Sequence, residues 1–508
     1  MSDALTVEAF RKGEHLRRSS RSKISRDEWV ILGVAAPAVC ISPFLLGGMV
    51  WWSQVSIASM QALIFLVALT PFSGFAAWRK RLVKLVKLPP FWLGGLFVLY
   101  VIIQALNPSM EQVYVDETSY FVADRKPEYF IAWLPQSILS NFYMMNAWRM
   151  VIFWAGAWAF VCGLWMSLNS RKAWLALGWM ALATGAVLSL ASIAHHLSDN
   201  EHLFWIEKYE RNGGAFGPFV YRNQAAVYLY LTMGLGFAMA LHMVRKGFLV
   251  TGIPWLAILF AVICLAGLGL NTSRGGWLGA AALILCFLFL LPFAIRWKDR
   301  PSTGGVIGAG VIIISILIMG GWYLKSMDFS EMKLRWQRLD NDEAMDASLR
   351  MRMALSEMTW EMFEDKPTIG WGAGSFRYRL PYYSLSYPEV HFIGNPLKKN
   401  YGKRKREFSH AHNDHFEILA EYGIVGYSLL AVVVSAWCIW IWVGRFASIE
   451  LFMSTGALFV CLLHSFADFI LCNPILLMSL LIVLVLVSGL TYRRASKSIG
   501  NSMHIAEK

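Results

Sequence analysis

The amino-acid sequence predicts an all-α polytopic membrane protein, and its composition, apolar runs and aromatic residues support that prediction. Of the 508 residues, 57% are hydrophobic and only 16% are charged. The mean hydropathy is +0.48, and a soluble domain could not bury so much apolar surface. The 23 tryptophans and 32 phenylalanines suit the aromatic belts that form at membrane interfaces.

Long apolar runs define the expected transmembrane helices. A hydrocarbon core about 30 Å thick requires roughly 20 apolar residues in a helix. This criterion predicts about twelve spans, at 29–50, 55–77, 90–106, 148–168, 173–194, 223–243, 249–268, 277–295, 304–324, 416–443, 450–470 and 474–491. The first apolar run is too long for the h-region of a cleavable signal peptide, so we expect a signal-anchor helix there.

Basic residues predict the orientation of these spans. They are concentrated at the N-terminus, in the 78–89 connection, near 171, 245, 296–300 and 445, and in the C-terminal tail. These segments fall on one side of the membrane if twelve spans alternate, and basic short loops mark the cytoplasm. Both termini are therefore expected to be cytoplasmic. The same loops account for the net charge of +13, so we expect no nucleic-acid partner.

The predicted organisation is one membrane domain with an outer subdomain. It comprises a cytoplasmic basic segment (1–28), nine helices (29–324), a large outer loop subdomain (325–415), three helices (416–491) and a cytoplasmic tail (492–508). The loop subdomain is expected to begin with an amphipathic helix over roughly 343–365, which "KPTIGWGAGSF" ends with its proline and glycines. The seven cysteines lie in or beside apolar runs and do not resemble a disulfide framework or a cysteine-based zinc site.

Cationic and imidazole side chains recur where the chain reaches the predicted outer face. They are Arg222, Arg274, Arg352, His412 with Asn413, and His464 with Asp468. Ionisable residues at membrane depth are costly and usually mark function. Arginine binds phosphate oxygens through two parallel hydrogen bonds, so converging arginines suit a lipid diphosphate. A neighbouring histidine could take a proton from an attacking hydroxyl, and the arginines would stabilise the departing diphosphate.

Each of these residues also has a structural interpretation. A single arginine at a helix end often anchors that end at the interface, and Arg352 could instead pair with Glu357 or Asp346. His464 and Asp468, four residues apart, could satisfy each other. The "GWGAGSF" stretch is either a turn or a phosphate nest. The basic run "KKNYGKRKR" (398–406) is expected to be a solvated loop face, with attraction of anionic glycan or lipid as the alternative.

The stretch "FSHAHNDHFEILAEYGIVGY" (408–427) concentrates proton-handling groups before an apolar run. His410, His412, Asp414 and His415 could together ligate a metal, since imidazole and carboxylate form zinc sites. The stretch lacks an HExxH-type pair, however, and we expect no metal.

The same stretch resembles the signature of the O-antigen ligase and O-antigen polymerase superfamily. That signature is a His-Asn pair, nine residues, a glycine, two residues and a small residue, here His412, Asn413, Gly423 and Gly426. Four further stretches resemble the superfamily in matching order: "GAFGPFVYRNQAAVYL", "TSRGGWLGA", "RMRMALSEMTWEMFEDKPTIGWGAGSF" and "HSFADF". Together they cover roughly 210–480, whereas 1–200 match only as membrane spans.

The resemblance implies an inverting membrane glycosyltransferase of GT-C-like architecture that needs neither nucleotide nor metal as cofactor. It would take glycan from an undecaprenyl diphosphate carrier at the periplasmic face of the bacterial inner membrane. The acceptor would be lipid A core, another carrier-linked chain or a protein. Membrane lipids and other polysaccharide assembly proteins are further expected partners.

The resemblance also implies roles for individual residues. Arg222 and Arg274 would hold the diphosphate with help from Arg352, and His412 would be the base. Asn413 would orient that base or the donor. The supporting residues would be His410, His464, Asp468 and Asn223. The outer segment 107–147 is not part of the family pattern and is a candidate for shaping the acceptor site.

Two questions of function stay open at this stage. Ligases and polymerases share the signature, so the sequence does not separate them. A transporter of the same superfamily is the alternative class. Transporters place polar residues near the bilayer midplane on broken helices. Here mid-span charges are nearly absent and ionisable residues crowd the outer end, which favours an enzyme.

Overall fold

The protein is seen in a computed structural model that describes residues 23–115, 120–198, 200–210, 214–246, 252–295, 342–387, 390, 392–395, 400–405, 407–443 and 449–506. Its helices are α1 (Arg26–Ala36), α2 (Trp51–Ala68), α3 (Phe75–Val86), α4 (Pro89–Leu106), α5 (Ala147–Ser167), α6 (Arg171–Leu197), α7 (Arg222–Arg245), α8 (Ile253–Asn271), α9 (Arg274–Ala294), α10 (Asp342–Asp365), α11 (Phe376–Tyr383), α12 (Asp414–Val443), α13 (Ile449–His464) and α14 (Pro474–Ala506). Its strands are β1 (Pro108–Tyr114), β2 (Tyr120–Asp124), β3 (Ser137–Leu139), β4 (Phe392–Asn395) and β5 (Asn400–Lys405).

The mostly helical, membrane-spanning class predicted from the sequence is confirmed. Nine helices in the described ranges are long and apolar enough to cross a membrane, and two shorter apolar helices, Ile449–His464 and Pro474–Leu490, accompany them. The amphipathic helix expected near 343–365 is also confirmed, as α10. The predicted span 304–324 and the basic residues of 1–22, 296–300 and Arg445 lie outside the described residues, and twelve spans stays a prediction.

Helix α7 is the centre of the bundle, and its whole apolar window is buried. Small residues allow close neighbours: a Cβ added at Gly236 would lie 3.0 Å from the Ala257 carbonyl oxygen of α8. On another side, Gly276 near the start of α9 packs on Ala226 near the start of α7. Small interface residues are how helices approach each other in lipid. Helices α7 and α9 therefore run parallel, and Arg222 and Arg274, their first residues, lie at the same end of the bundle. We call this end the site face.

Helix α12 is broken near the site face at Gly423, which has a φ of +63° and a ψ of −175°. The helical hydrogen bonds lost there are replaced by bonds to another segment. The Ile424 N–H donates to the Pro367 carbonyl at 2.8 Å, and the Val425 N–H donates to Thr368 at 3.1 Å. The positive φ favours glycine, and an added Cβ would collide with the Thr368 carbonyl oxygen. The sequence predicted one span over 416–443; the helix begins two residues earlier and has two parts.

The glycine-rich "GWGAGSF" stretch, 370–376, forms a turn around the end of the first part of α12. The N–H groups of Gly374 and Phe376 both donate to the Glu421 carboxylate, each at 3.0 Å. The Gly372 N–H donates to the Glu421 carbonyl at 2.8 Å. Of the two interpretations left open by the sequence, the turn is confirmed: this cradle of N–H groups holds a carboxylate of the chain itself.

The chain is not entirely helical, because it also forms two small sheets. The first has the order β2-β1-β3, with β1 antiparallel to β2 and parallel to β3. The second is the antiparallel pair of β4 and β5. The first sheet lies within the outer segment 107–147, whose aromatic and β-branched residues suit strands. It rests on α11, because the Tyr382 hydroxyl donates to the Val122 carbonyl at 2.9 Å and accepts from the Val122 N–H at 3.2 Å.

Candidate active site

The His-Asn signature forms a tight turn before α12. His412 has a φ of +55°, which is uncommon for a residue other than glycine. Asp414, two residues after His412, fixes the turn, because its N–H donates to the Ser465 carbonyl at 2.9 Å. The Asp414 carboxylate accepts from the N–H groups of Ile470 and Leu471, at 2.6 and 2.8 Å. Asp414 thus joins the start of α12 to the 465–471 segment, and this rigid connection maintains the His412 conformation.

Asp468 joins the predicted site residues together. One carboxylate oxygen lies 3.1 Å from Nδ1 of His412. The other accepts from the Asn223 amide and lies 3.7 Å from the Arg352 guanidinium, which also donates to the Ala467 carbonyl at 2.9 Å. Side chains from the start of α7, from α10 and from the His-Asn turn therefore meet at one carboxylate.

The environment of Asp468 favours its ionised form. Its side chain is only 3% exposed, and burial alone would raise the pKa of this carboxyl. The hydrogen bond to His412, the electrostatic influence of that imidazole and the positive charge of Arg352 outweigh burial and lower the pKa to about 2. An ionised carboxylate at Nδ1 orients the imidazole and leaves Nε2 as the nitrogen that can accept a proton. The His412 side chain is 22% exposed, so a substrate can reach it.

His464 joins the start of α9 to the same site. A Cβ added at Gly275 would lie 2.5 Å from Nε2 of His464, so Arg274 is the residue next to this contact. Nδ1 of His464 lies 3.4 Å from the Tyr230 hydroxyl. Among the described residues, His464 and Asp468 do not hydrogen-bond to each other. Asp468 instead contacts His412, Asn223 and Arg352.

The two remaining arginines are near this network by position. Arg222 is half-buried, begins α7 and immediately precedes Asn223, and its N–H donates to the Gly214 carbonyl at 2.6 Å. Arg274 is exposed at the start of α9, where the Ser273 hydroxyl caps the helix by accepting from the Gly276 N–H. Arg352 forms its ion pair with Asp468 instead of with Glu357 on its own helix.

Asn413 and His410 have contacts that sequence reasoning did not foresee. The Asn413 side-chain oxygen accepts from the Phe416 N–H at 3.2 Å, which is the geometry of a helix N-cap. Nδ1 of His410 lies 2.7 Å from the Glu417 carboxylate. The His410 ring stacks on Phe469 at 4.7 Å, and the edge of His412 contacts the same Phe469 ring at 4.9 Å. His410 thus supports His412 through this shared aromatic ring.

The His410 imidazole is buried, and burial opposes its protonation. The nearby Glu417 carboxylate, by charge and hydrogen bond, more than offsets burial and raises the pKa of His410 above its ordinary value. His410 and Glu417 therefore form a buried hydrogen-bonded pair beside the Phe469 ring.

One described group of side chains has the spacing of metal ligands: His410, Glu417 and Cys472, whose ligand atoms all lie within 4.8 Å of one another. These groups already satisfy one another. His410 and Glu417 are directly bonded, and the Cys472 thiol donates to Asp414 at 3.4 Å and to Glu417 at 3.7 Å.

The four-residue metal set considered from the sequence does not converge. His412 bonds to Asp468, and His415 bonds to Tyr427 and Ser465. Only His410 of that set belongs to the group with metal-ligand spacing.

The fold is that of a polytopic membrane protein, and its candidate site, at one end of the helical bundle, brings Arg352 and His412 to the Asp468 carboxylate. Residues 259–431 match the family model described as O-antigen ligase, which confirms the resemblance and supports membership of the chain in the O-antigen ligase superfamily. Enzymes of this family act on polysaccharides, as ligases or polymerases, with lipid-linked glycan donors and acceptors. No curated protein matches the chain.

The matched range contains the His-Asn signature, Arg274 and Arg352. Arg222, Asn223, His464 and Asp468 lie outside it. The Asp468 contacts with Asn223, Arg352 and His412 therefore connect residues inside the match to residues on both sides of it.

Proposed function

We propose that this protein is an inverting membrane glycosyltransferase of the O-antigen ligase or polysaccharide polymerase type. It moves glycan from an undecaprenyl-diphosphate-linked donor onto lipid A core or a growing polysaccharide chain. The observation that carries the proposal is the convergence of His412, Arg352 and Asn223 on Asp468. This convergence lies at the same end of the bundle as Arg222 and Arg274.

In this reaction the arginines hold the leaving group. Arg222 and Arg274 bind the diphosphate, and Arg352 contributes positive charge beside Asp468. Guanidinium groups keep their charge and match phosphate geometry with two hydrogen bonds. As the bond between the anomeric carbon and the diphosphate oxygen breaks, the charge on that oxygen grows, and fixed donors stabilise it without rearranging.

His412 is the general base of the proposed reaction. Its Nε2 removes the proton of the acceptor hydroxyl while the hydroxyl oxygen bonds to the anomeric carbon from the face opposite the diphosphate. Asp468 holds Nδ1 and stabilises the imidazolium that forms. The configuration at the anomeric carbon inverts, and undecaprenyl diphosphate leaves. A metal ion has no step in this scheme.

The proposed setting is the bacterial inner membrane, with the site face in the periplasm and both termini in the cytoplasm. The five-part organisation predicted from the sequence follows from this orientation. One described feature supports it: α3, which carries Arg79, Lys80, Arg81 and Lys84 of the 78–89 connection, lies at the opposite end from the site face. There Lys84 donates to the Leu168 carbonyl.

The lipid-linked glycan that accumulates when the protein is removed tests the proposal and separates its two forms. Deletion of a polymerase leaves single repeat units on the carrier, and deletion of a ligase leaves long carrier-linked chains. Complementation with wild type should clear the intermediate, whereas His412→Ala, expressed and inserted equally, should not. An unchanged set of carrier-linked glycans in the deletion strain would overturn the proposal.

A further inference from the structure

Asn271, the last residue of α8, is a buried amide without a partner. It is only 2% exposed, and neither its side-chain nitrogen nor its oxygen has a hydrogen-bond partner in the part of the chain that the structure describes. Folded proteins pair nearly all buried polar groups, because an unpaired one costs its full desolvation. An unpaired donor and an unpaired acceptor on one side chain therefore indicate a ligand that offers both a hydrogen-bond acceptor and a hydrogen-bond donor.

Helix packing places Asn271 near the first residues of α7 and α9, which are the two arginines of the proposed donor site. Helix α8 runs antiparallel to α7: Gly236 packs on Ala257 and Ala261, and Leu229 packs on Gly267. Continuing this register by one turn brings Asn271 level with Ala225, about one turn of α7 from Arg222. In sequence, Asn271 precedes Arg274 by three residues, and Thr272 between them has a φ of +58°.

A second orphaned group borders the same region. The Ser192 hydroxyl on α6 is fully buried and also has no hydrogen-bond partner among the described residues. It packs on Gly217, in the loop that leads into Arg222. Ser189, one turn earlier on α6, contacts Gly267 of α8 and donates to the Ile263 carbonyl at 2.6 Å. Ser189 thus pairs with α8, whereas the unpaired groups of Ser192 and Asn271 lie one turn further along, toward the site face.

The chemistry that the arginines lack indicates the ligand. A guanidinium only donates hydrogen bonds, so Arg222 and Arg274 can hold phosphate oxygens but cannot accept from a sugar hydroxyl. A carboxamide does both. We propose that Asn271 binds the donor where its diphosphate joins its first sugar, with Nδ2 donating to a phosphate oxygen and Oδ1 accepting from a hydroxyl or amide N–H of that sugar. This inference rests on the proposed function.

The variant Asn271→Leu separates a binding role from a structural one. Leucine keeps the branched shape of asparagine and removes the unpaired amide, so the unliganded protein should keep or raise its Tm. Binding is measured by titrating purified protein in detergent with farnesyl diphosphate and with the same lipid carrying one N-acetylglucosamine. We expect binding of both probes to weaken about tenfold or more, and Asn271→Asp to weaken the diphosphate further, because it adds negative charge.

Ser167→Ala is the matched control. Ser167 is 1% exposed and its hydroxyl also has no partner among the described residues, but it lies at the end of α5 away from the site face. This variant should bind both probes as wild type does. If Asn271→Leu binds both probes with wild-type affinity, the amide holds only water and the inference fails. If wild type binds neither probe, the proposed function fails and this inference fails with it.

Discussion

At the scale of single residues, the site depends on Asp468. One buried carboxylate orients His412, accepts from Asn223 and pairs with Arg352. Its neighbours hold the pKa of this carboxyl at about 2, so it is ionised wherever the enzyme would work. Replacing the Asp468 carboxylate with a neutral group of the same shape should therefore disturb the His412 imidazole more than the fold.

Asp468→Asn should lower the transfer rate by about 10²-fold or more, since general-base catalysis contributes on this order. An amide can keep a hydrogen bond to Nδ1 but cannot stabilise the imidazolium. The measurement is glycan transfer by purified protein, with donor binding measured in parallel. Loss of donor binding without loss of the chemical step would contradict the assigned role of Asp468.

The buried His410–Glu417 pair predicts a pH dependence of stability. Because folding raises the pKa of His410, its contribution is fully present below the ordinary pKa of about 6.5 and is lost as pH rises through the higher folded value. His410→Gln should therefore lower Tm most near pH 6, and the difference from wild type should shrink in alkaline buffer. A difference in Tm that grows with pH would contradict a raised pKa for His410.

At the scale of elements, the break in α12 separates a short first part beside the site from a second part that spans the membrane. The segment 414–422 carries Asp414 and Glu421, and beyond Gly423 the helix continues as an apolar span. Transporters use broken helices to expose backbone groups to ions. Here the carbonyls of Pro367 and Thr368 occupy the break, so its polar groups are satisfied by the chain itself.

Gly423→Ala should destabilise the protein by about 1–3 kcal/mol, the cost of holding a side chain in a strained backbone conformation, with the collision against Thr368 adding to it. Gly33→Ala is the control, because a Cβ at Gly33 in α1 meets nothing within 4 Å and alanine favours a helix by up to about 1 kcal/mol. Thermal unfolding in detergent measures both. Equal Tm values for the two variants would show that Gly423 is not a structural break.

The elements also show how far sequence reasoning reaches. Helix α10 follows from its amphipathic pattern and the proline and glycines after it, all of which are local. The break at Gly423 depends on carbonyls some 55 residues away, and hydropathy over 416–443 shows only one apolar run. The signature located His412 and Asn413, but the Asn413 cap and the pairing of Asn223 with Asp468, 245 residues apart, are consequences of tertiary packing.

At the scale of the whole molecule, helix direction brings the polar residues together. Helices α7 and α9 are parallel, and α8, which connects them in sequence, runs antiparallel to α7. Helix α13 ends beside α9 through the contact of His464 with Gly275. Arg222, Arg274 and Asp468 therefore share one end of the bundle although they are far apart in sequence. Chemical labelling can measure whether that end faces the periplasm.

Single cysteines at two exposed aromatic positions test the orientation. Trp133 is 78% exposed in the segment that carries the first sheet, and Phe75 is 76% exposed at the start of α3. A membrane-impermeant maleimide should label Trp133→Cys in intact spheroplasts and Phe75→Cys only after permeabilisation, relative to the unmodified chain. The reverse pattern would place the site face in the cytoplasm.

The most direct test of the account is release of undecaprenyl diphosphate by purified protein in nanodiscs supplied with a carrier-linked glycan and its acceptor. The account predicts that wild type releases the carrier diphosphate in step with glycan transfer. His412→Ala should bind the donor with similar affinity but release it at least about 10²-fold more slowly. Release by His412→Ala at the wild-type rate would contradict the claim that this imidazole, oriented by Asp468, carries the chemistry.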